Sequence, residues 1–285
     1  MPTTYAHWRF GCDCIETMPE KLKKVVNEHR ALFDLGVHGP DIFFYDLAHP
    51  ALPRYGSAMH HEAARNFFEK AVEVYKNNDE DKDAMLAYIL GFLSHFTLDS
   101  QAHGYVDRKK EVSGFSHNKI EAEFDGHLMR KDGRSVSLTD RAASLKPDKE
   151  TSRIIARFFP FSEKQILRTT RMQHLIISAL NCRNNFKRKI INGILRTLHL
   201  DDNADLIVYP EEGKGFADAN MRLDKLMNNA RALYPKLLKE LLAALNEDKE
   251  LPAYFDHNFE PWPDYQQIPV LTAAEEKTYI PELRL

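Results

Sequence analysis

Residues 83–103 constrain the fold more than any other stretch. They read as one helix whose first half is buried through Met85, Leu86, Ile89, Leu90, Phe92 and Leu93. The run LAYILGFL, residues 86–93, is too short for the ~18–20 apolar residues of a membrane span. It belongs inside a protein, wrapped by other helices. The second half of the same helix carries His95, Asp99 and His103, each four positions from the next, so their side chains share a face. Burying an unpaired charge is costly. A metal ion held by all three removes that cost.

The remaining periodicity is helical and strand signals are scarce. A helix is predicted over 20–33, broken by Gly36 and the Gly39-Pro40 pair. Pro50, Pro53 and Gly56 predict a loop over 49–57, followed by a helix over 58–76 and a polar connection over 77–83. Gly104 and Gly114 bracket a predicted loop, and Ser116 is a candidate N-cap for a helix over 117–130. A polar loop of about fifteen residues starts at Asp132-Gly133. Further helices are expected near 149–159, 163–198 and 216–246. The Pro- and aromatic-rich tail from Leu251 reads as an extended arm. The expectation is an all-α fold: one domain over 1–285, with the ligand-bearing part in 1–125, a helical part in 147–250 and the tail in 251–285.

Composition narrows the function classes. A 43% hydrophobic, 28% charged chain without low-complexity tracts is an ordinary soluble globular protein. A net charge of −3 supplies no global field to recruit nucleic acid. The start MPTTYAHWRFGCDC lacks the basic and apolar regions of a secretion signal, and three cysteines make no disulfide framework. Both point to a reduced, cytoplasmic setting. Cys12-x-Cys14 lacks the two-residue gap usual in metal-binding pairs. Nothing in the sequence sets an oligomeric state.

Histidine placement is the strongest chemical signal. Ten of the thirteen histidines fall within the first 127 residues. His117 and Glu121, in HNKIE, repeat the four-residue step of His95 and Asp99 on the next helix. His7 in TYAHWRFG, Asp41 in GPDIFFYD, and His60 with His61 in SAMHHE are polar residues in apolar surroundings. Imidazole nitrogens with carboxylate oxygens suit Zn²⁺, with Mn²⁺ or Fe²⁺ as substitutes.

The stretches YAHWRFG, GPDIFFYD, SAMHHE, HFTLDSQAH and HNKIE, within residues 5–125, resemble the zinc-dependent phospholipase C family, related in fold to the S1/P1 nucleases. The order HxxxD, His, HxxxE is the most distinctive part of that likeness. The resemblance implies a multi-helical fold and a site for two or three zinc ions. Asp41, His60, His95 and a bridging Asp99 would hold one ion, and His103, His117 and Glu121 a second. His7 and the other oxygen of Asp99 would hold the third. His60 is preferred over His61 because it follows the small, apolar approach SAM. Secreted members of the family complete the third position with a processed N-terminal tryptophan. This sequence begins Met-Pro-Thr-Thr-Tyr, so only Pro2, once Met1 is removed, is expected to reach there.

The implied activity is phosphoester hydrolysis, with Asp41 and Asp99 as catalytic carboxylates and a phospholipid or soluble phosphodiester as substrate. A nuclease is the second reading and a non-catalytic metal-binding helical protein the third. The basic run RNNFKRKIINGILR, residues 183–196, reads first as a solvated helix face. Phe43, Phe44, Tyr45, Tyr105 and Phe115 lie near the ligands in sequence and read mainly as core. The chain has no His-Asp dipeptide and no Glu-x-x-His pair, which removes two other classes of helical metalloprotein.

Overall fold

A long central helix organises everything around it. The structure, a computed structural model, describes residues 4–46, 48–247 and 249–284, and these hold helices and no strand. In order they are α1 (Thr4–Thr17), α2 (Glu20–Glu28), α3 (Arg30–Gly36), α4 (Ala51–His61), α5 (Ala64–Lys76), α6 (Lys82–Ser113) and α7 (His117–Lys131). Then follow α8 (Lys149–Ala156), α9 (Glu163–Leu180), α10 (Asn185–Thr197), α11 (Asp201–Ala204), α12 (Ala217–Glu247) and α13 (Ala273–Glu276). A 3-10 helix, Gly39–Tyr45, links α3 to α4, and two more, Ala253–Asp256 and Tyr265–Gln267, lie in the tail. The all-α expectation holds, and none of these helices is long and apolar enough to cross a membrane.

α6 is apolar on every side through its first half, so neighbours must enclose it. α1, α2, α3, α5, α7, α8 and α12 all pack against it. Each large side chain so buried contributes roughly 2 kcal/mol. The crossing of α3 on α6 is close because both helices place glycine there. A Cβ on Gly91 would stand 2.3 Å from the Phe33 carbonyl oxygen, and one on Gly36 would stand 2.4 Å from that of Tyr88.

Several predicted boundaries are corrected. α6 runs through Gly104, where a loop was expected, and stops at Gly114, whose φ of +74° makes it the left-handed terminator. One interior glycine costs only about 1 kcal/mol, and Tyr105, Val106 and Lys109 keep that turn buried. The 49–57 loop is the first part of α4. Pro50 occupies the N-cap and Pro53 the first turn, where a missing N–H breaks no helical bond. The helix expected over 58–76 is interrupted at Glu62, which is extended at φ −87°, ψ 157°. The helix expected over 20–33 breaks at His29. The one expected over 163–198 divides at 181–184, where the Asn184 side chain caps the Lys187 N–H.

The tail is not a simple extended arm. It folds into short turns and α13, pinned by Arg222 of α12, whose guanidinium pairs bidentately with Glu276 at 2.6 and 3.1 Å, both side chains fully buried. Trp262 donates its indole N–H to the Ser100 carbonyl at 2.8 Å. The tail thus lies over the ligand-bearing half of α6.

Candidate metal centre

The eight candidate ligands converge around the middle of α6. His95, Asp99 and His103 lie along it, His7 comes from α1, Asp41 from the 3-10 helix, His60 from the last turn of α4, and His117 with Glu121 from α7. They form three contiguous groups: Asp41 with His60 and His95, His7 with His95 and Asp99, and His103 with His117 and Glu121. Within each group one ligand atom from every residue lies within 4.8 Å of the others.

Asp99 joins the groups. Its Oδ2 is 2.9 Å from His95 Nε2, while Oδ1 is 3.2 Å from His7 Nε2 and 3.6 Å from His103 Nε2. Asp41 places Oδ1 3.0 Å from His60 Nε2 and Oδ2 3.6 Å from His95 Nε2. Glu121 Oε1 lies 3.1 Å from His117 Nε2 and 3.5 Å from His103 Nε2. The helical step that puts His60 against Asp41 turns its neighbour outward, and His61 is exposed, with Nδ1 on the Ser57 carbonyl.

The outer nitrogens decide what the inner ones can do. Nδ1 of His60 meets the Gly56 carbonyl at 2.7 Å, that of His95 meets Val37 at 3.2 Å, and that of His103 meets the Phe259 carbonyl. Nδ1 of His117 meets Asp107 Oδ1 at 2.9 Å. Each partner is an acceptor, so each Nδ1 carries a proton, and Nε2 faces inward with a lone pair to offer whenever the ring is neutral. His7 lacks such a partner; its ring stacks on His95 at 4.4 Å.

A profile of the zinc dependent phospholipase C family matches residues 6–179. The chain belongs to this family. Neither a curated protein nor a solved structure matches it. The matched span contains all eight candidate ligands and ends within α9, leaving α10 to α13 outside.

The residues fit the zinc that the family name implies. Asp99 Oδ2 and His95 Nε2 are 2.9 Å apart yet fail to form a hydrogen bond, and Asp41 Oδ2 and Glu121 Oε2 are also buried without a donor. Orphaned lone pairs in a dry interior are costly, and a divalent cation among them satisfies several at once. Three histidine–carboxylate sets supply borderline nitrogen and hard oxygen in the mixture zinc accepts. No cysteine takes part: Cys12, Cys14 and Cys182 are free thiols, and Cys12 accepts from Arg30.

Electrostatics within the cluster run in one direction. Burial opposes charge on His7, His60, His103 and His117, but the nearby carboxylates outweigh it and raise all four, His103 to about 10. Burial also opposes ionisation of Asp99, yet His103, His95 and His7 hold its carboxyl well below the ordinary range. Glu121 is likewise lowered against its burial by His117 and His103.

A cleft of about 270 Å³ opens onto the cluster, lined by Asp41, His60, His103 and His117 together with Phe44, Lys110 and Glu260. Of the five aromatics near the ligands in sequence, Phe44 lines this cleft. Phe43, Tyr45 and Tyr105 are core, and Phe115 stacks on Phe216 at 4.3 Å.

Four supporting groups escaped the sequence reading. Asp107 extends the series His95, Asp99, His103 by one more step of four, a signal hidden by ending the helix at Gly104. Asp125 accepts the Tyr5 and Ala6 amides at 3.2 and 2.7 Å, fixing the start of α1 and so the direction of His7. Burial raises its carboxyl to about 6. The Phe259 carbonyl comes from the tail, where no local pattern marks it. His38 is fully buried with neither nitrogen partnered, and burial, then the charge of His7, drives it down to about 3. The Pro2 terminus expected near the third position lies outside the described residues.

Proposed function

We propose that this chain is a zinc-dependent phosphodiester hydrolase of the phospholipase C type, cleaving the bond between the phosphate and the glycerol of a phospholipid. The observation that carries the reading is a cluster of orphaned carboxylate oxygens and inward Nε2 atoms that reaches an open cleft through Asp41, His60, His103 and His117. A structural zinc site is normally closed by four protein ligands, whereas the His103, His117 and Glu121 group offers three and faces the cleft. Asp41, His60 and His95, then His103, His117 and Glu121, and then His7 with Asp99 would hold two or three zinc ions, with Mn²⁺ or Fe²⁺ as substitutes. When bound, zinc supplies Lewis acidity toward a phosphoryl oxygen and brings the pKa of water toward neutrality.

The chain's own residues do the rest. Asp99, with its two oxygens turned to different imidazoles, keeps the ligand groups in register. Asp41, anchored through Oδ1 to His60, has Oδ2 without a donor and accepts the proton of the attacking water. Lys110 at the cleft wall brings positive charge to the phosphate. The water oxygen bonds to phosphorus in line as the bond to the glycerol oxygen breaks, and that oxygen leaves as the alcohol, carrying the proton that Asp41 took from the water.

The test is metal analysis of purified protein together with hydrolysis of phosphatidylcholine, bis-p-nitrophenyl phosphate and single-stranded DNA. At least two zinc ions per chain are expected, with phosphorylated headgroup released from phosphatidylcholine. Asp99→Asn should lower turnover by at least ~100-fold. Less than one metal per chain, or an unaffected Asp99→Asn enzyme, overturns the hydrolase reading. Preference for DNA replaces the phospholipid with a nucleic acid.

A further inference from the structure

α10 has two apolar faces, and only one is used. Ile191 and Leu195 pack inward on a small cluster formed with Leu180, Cys182, Leu206 and Ile207. A neighbouring face presents Phe186, Ile190 and Ile194 at steps of four, 75%, 45% and 53% exposed, and continues into Leu198 at 61%. With Leu200, this one stretch holds five of the ten large exposed apolar side chains among the described residues. Scattered single residues of this kind are ordinary on a surface; a contiguous stripe marks an interaction site.

The charge around the stripe says what covers it. Residues 183–200 contain five Lys or Arg and no Asp or Glu, in a chain whose net charge is −3. At 100° per residue, Lys189 and Arg196 flank the stripe on one side and Lys187 on the other. Arg196 is neutralised by Asp201 and Asp205. Arg183 and Lys189 are exposed and have no ion-pair partner among the described residues. A second copy of this face would bring like charges together. An anionic lipid surface offers acyl chains to the stripe and negative headgroups to its flanks.

We propose that α10 is an interfacial helix that docks the protein on bilayers containing anionic phospholipid. Its C-terminal end is tied to the catalytic cleft. Asp205 receives Arg196 on one oxygen and the Ser116 hydroxyl, at 2.6 Å, on the other, and Ser116 caps the helix that begins with His117. Asn118, which lines the cleft, donates to the Asp202 carbonyl at 3.0 Å. Docking through α10 would anchor the segment that these bonds tie to the cleft lip; its use in catalysis rests on the phospholipase reading, whereas the docking itself does not. α10 lies beyond the family-matched span.

The experiment is co-sedimentation of the zinc-loaded full chain with vesicles of phosphatidylcholine alone or with roughly one third phosphatidylglycerol. Wild-type protein is expected to bind the mixed vesicles and to release from them at high salt. Ile190→Ser with Ile194→Ser should weaken binding at least ~10-fold while leaving melting temperature and bis-p-nitrophenyl phosphate hydrolysis unchanged. Arg183→Glu with Lys189→Glu should abolish the preference for anionic vesicles. Equal binding by wild type and the serine variant overturns the proposal, as does wild-type self-association that the serine variant loses. Vesicle binding without phosphoester hydrolysis leaves docking standing and removes the hydrolase reading. Hydrolysis of the soluble ester without vesicle binding does the reverse.

Discussion

Asp99 and His103 show how a single side chain sets the chemistry of the centre. Without metal, His103 is raised to about 10 by Asp99 and Glu121 against its burial, so it is protonated at neutral pH. Its folded value exceeds the unfolded value of about 6.5. The stability it gives the metal-free chain is therefore complete below about pH 6.5 and is lost as pH rises through about 10. Zinc requires the neutral ring, so loading at neutral pH must expel protons and zinc affinity must fall as pH falls. Calorimetric titration in two buffers of different ionisation enthalpy reads this directly. A heat of binding that differs between the buffers is expected, and identical heats contradict the assignment. The residue types and their four-residue steps were legible in the sequence because helical spacing alone puts such residues on one face. Asp107 was not, because an interior glycine looked like a helix end.

Among the elements, α6 does the positioning and its neighbours supply the rest. The α3–α6 crossing depends on Gly91, where a methyl group would meet the Phe33 carbonyl at 2.3 Å. Backbone cannot give way as a flexible side chain can. Gly91→Ala is expected to destabilise by about 2–4 kcal/mol, read as a lower denaturation midpoint; an unchanged midpoint contradicts the packing argument. The tail acts on the same helix from the other side. Removing one member of the buried Arg222–Glu276 pair leaves an uncompensated charge, costing about 3–5 kcal/mol. Glu276→Gln should lower the melting temperature and also weaken zinc binding, since the tail supplies the Phe259 carbonyl to His103. Lower stability with unaltered zinc affinity limits the tail to a structural role. α4 was misread as a loop because prolines break helix interiors but fit the first turn, and only the fold shows which turn they occupy.

At the scale of the molecule, the centre couples folding to metal. Ligand atoms from α1, α4, α6, α7 and the 3-10 helix are held together only in the folded chain, so zinc stabilises it by mass action. Free zinc at about 100 times its dissociation constant adds about 2.7 kcal/mol, a rise of several degrees in Tm for a chain of this size. Chelation should reverse that rise and readdition restore it; a melting temperature indifferent to both contradicts a centre built from these elements. The sequence by itself determined that the chain is helical, that one helix is buried, and which residues share its polar stripe, because periodicity is a local property. Only the tertiary structure decided which distant histidines and carboxylates meet that stripe, which imidazole nitrogen faces inward, and which face of α10 stays open. Those depend on crossing angles and close approaches between elements far apart in the chain, and no spacing along the sequence encodes them.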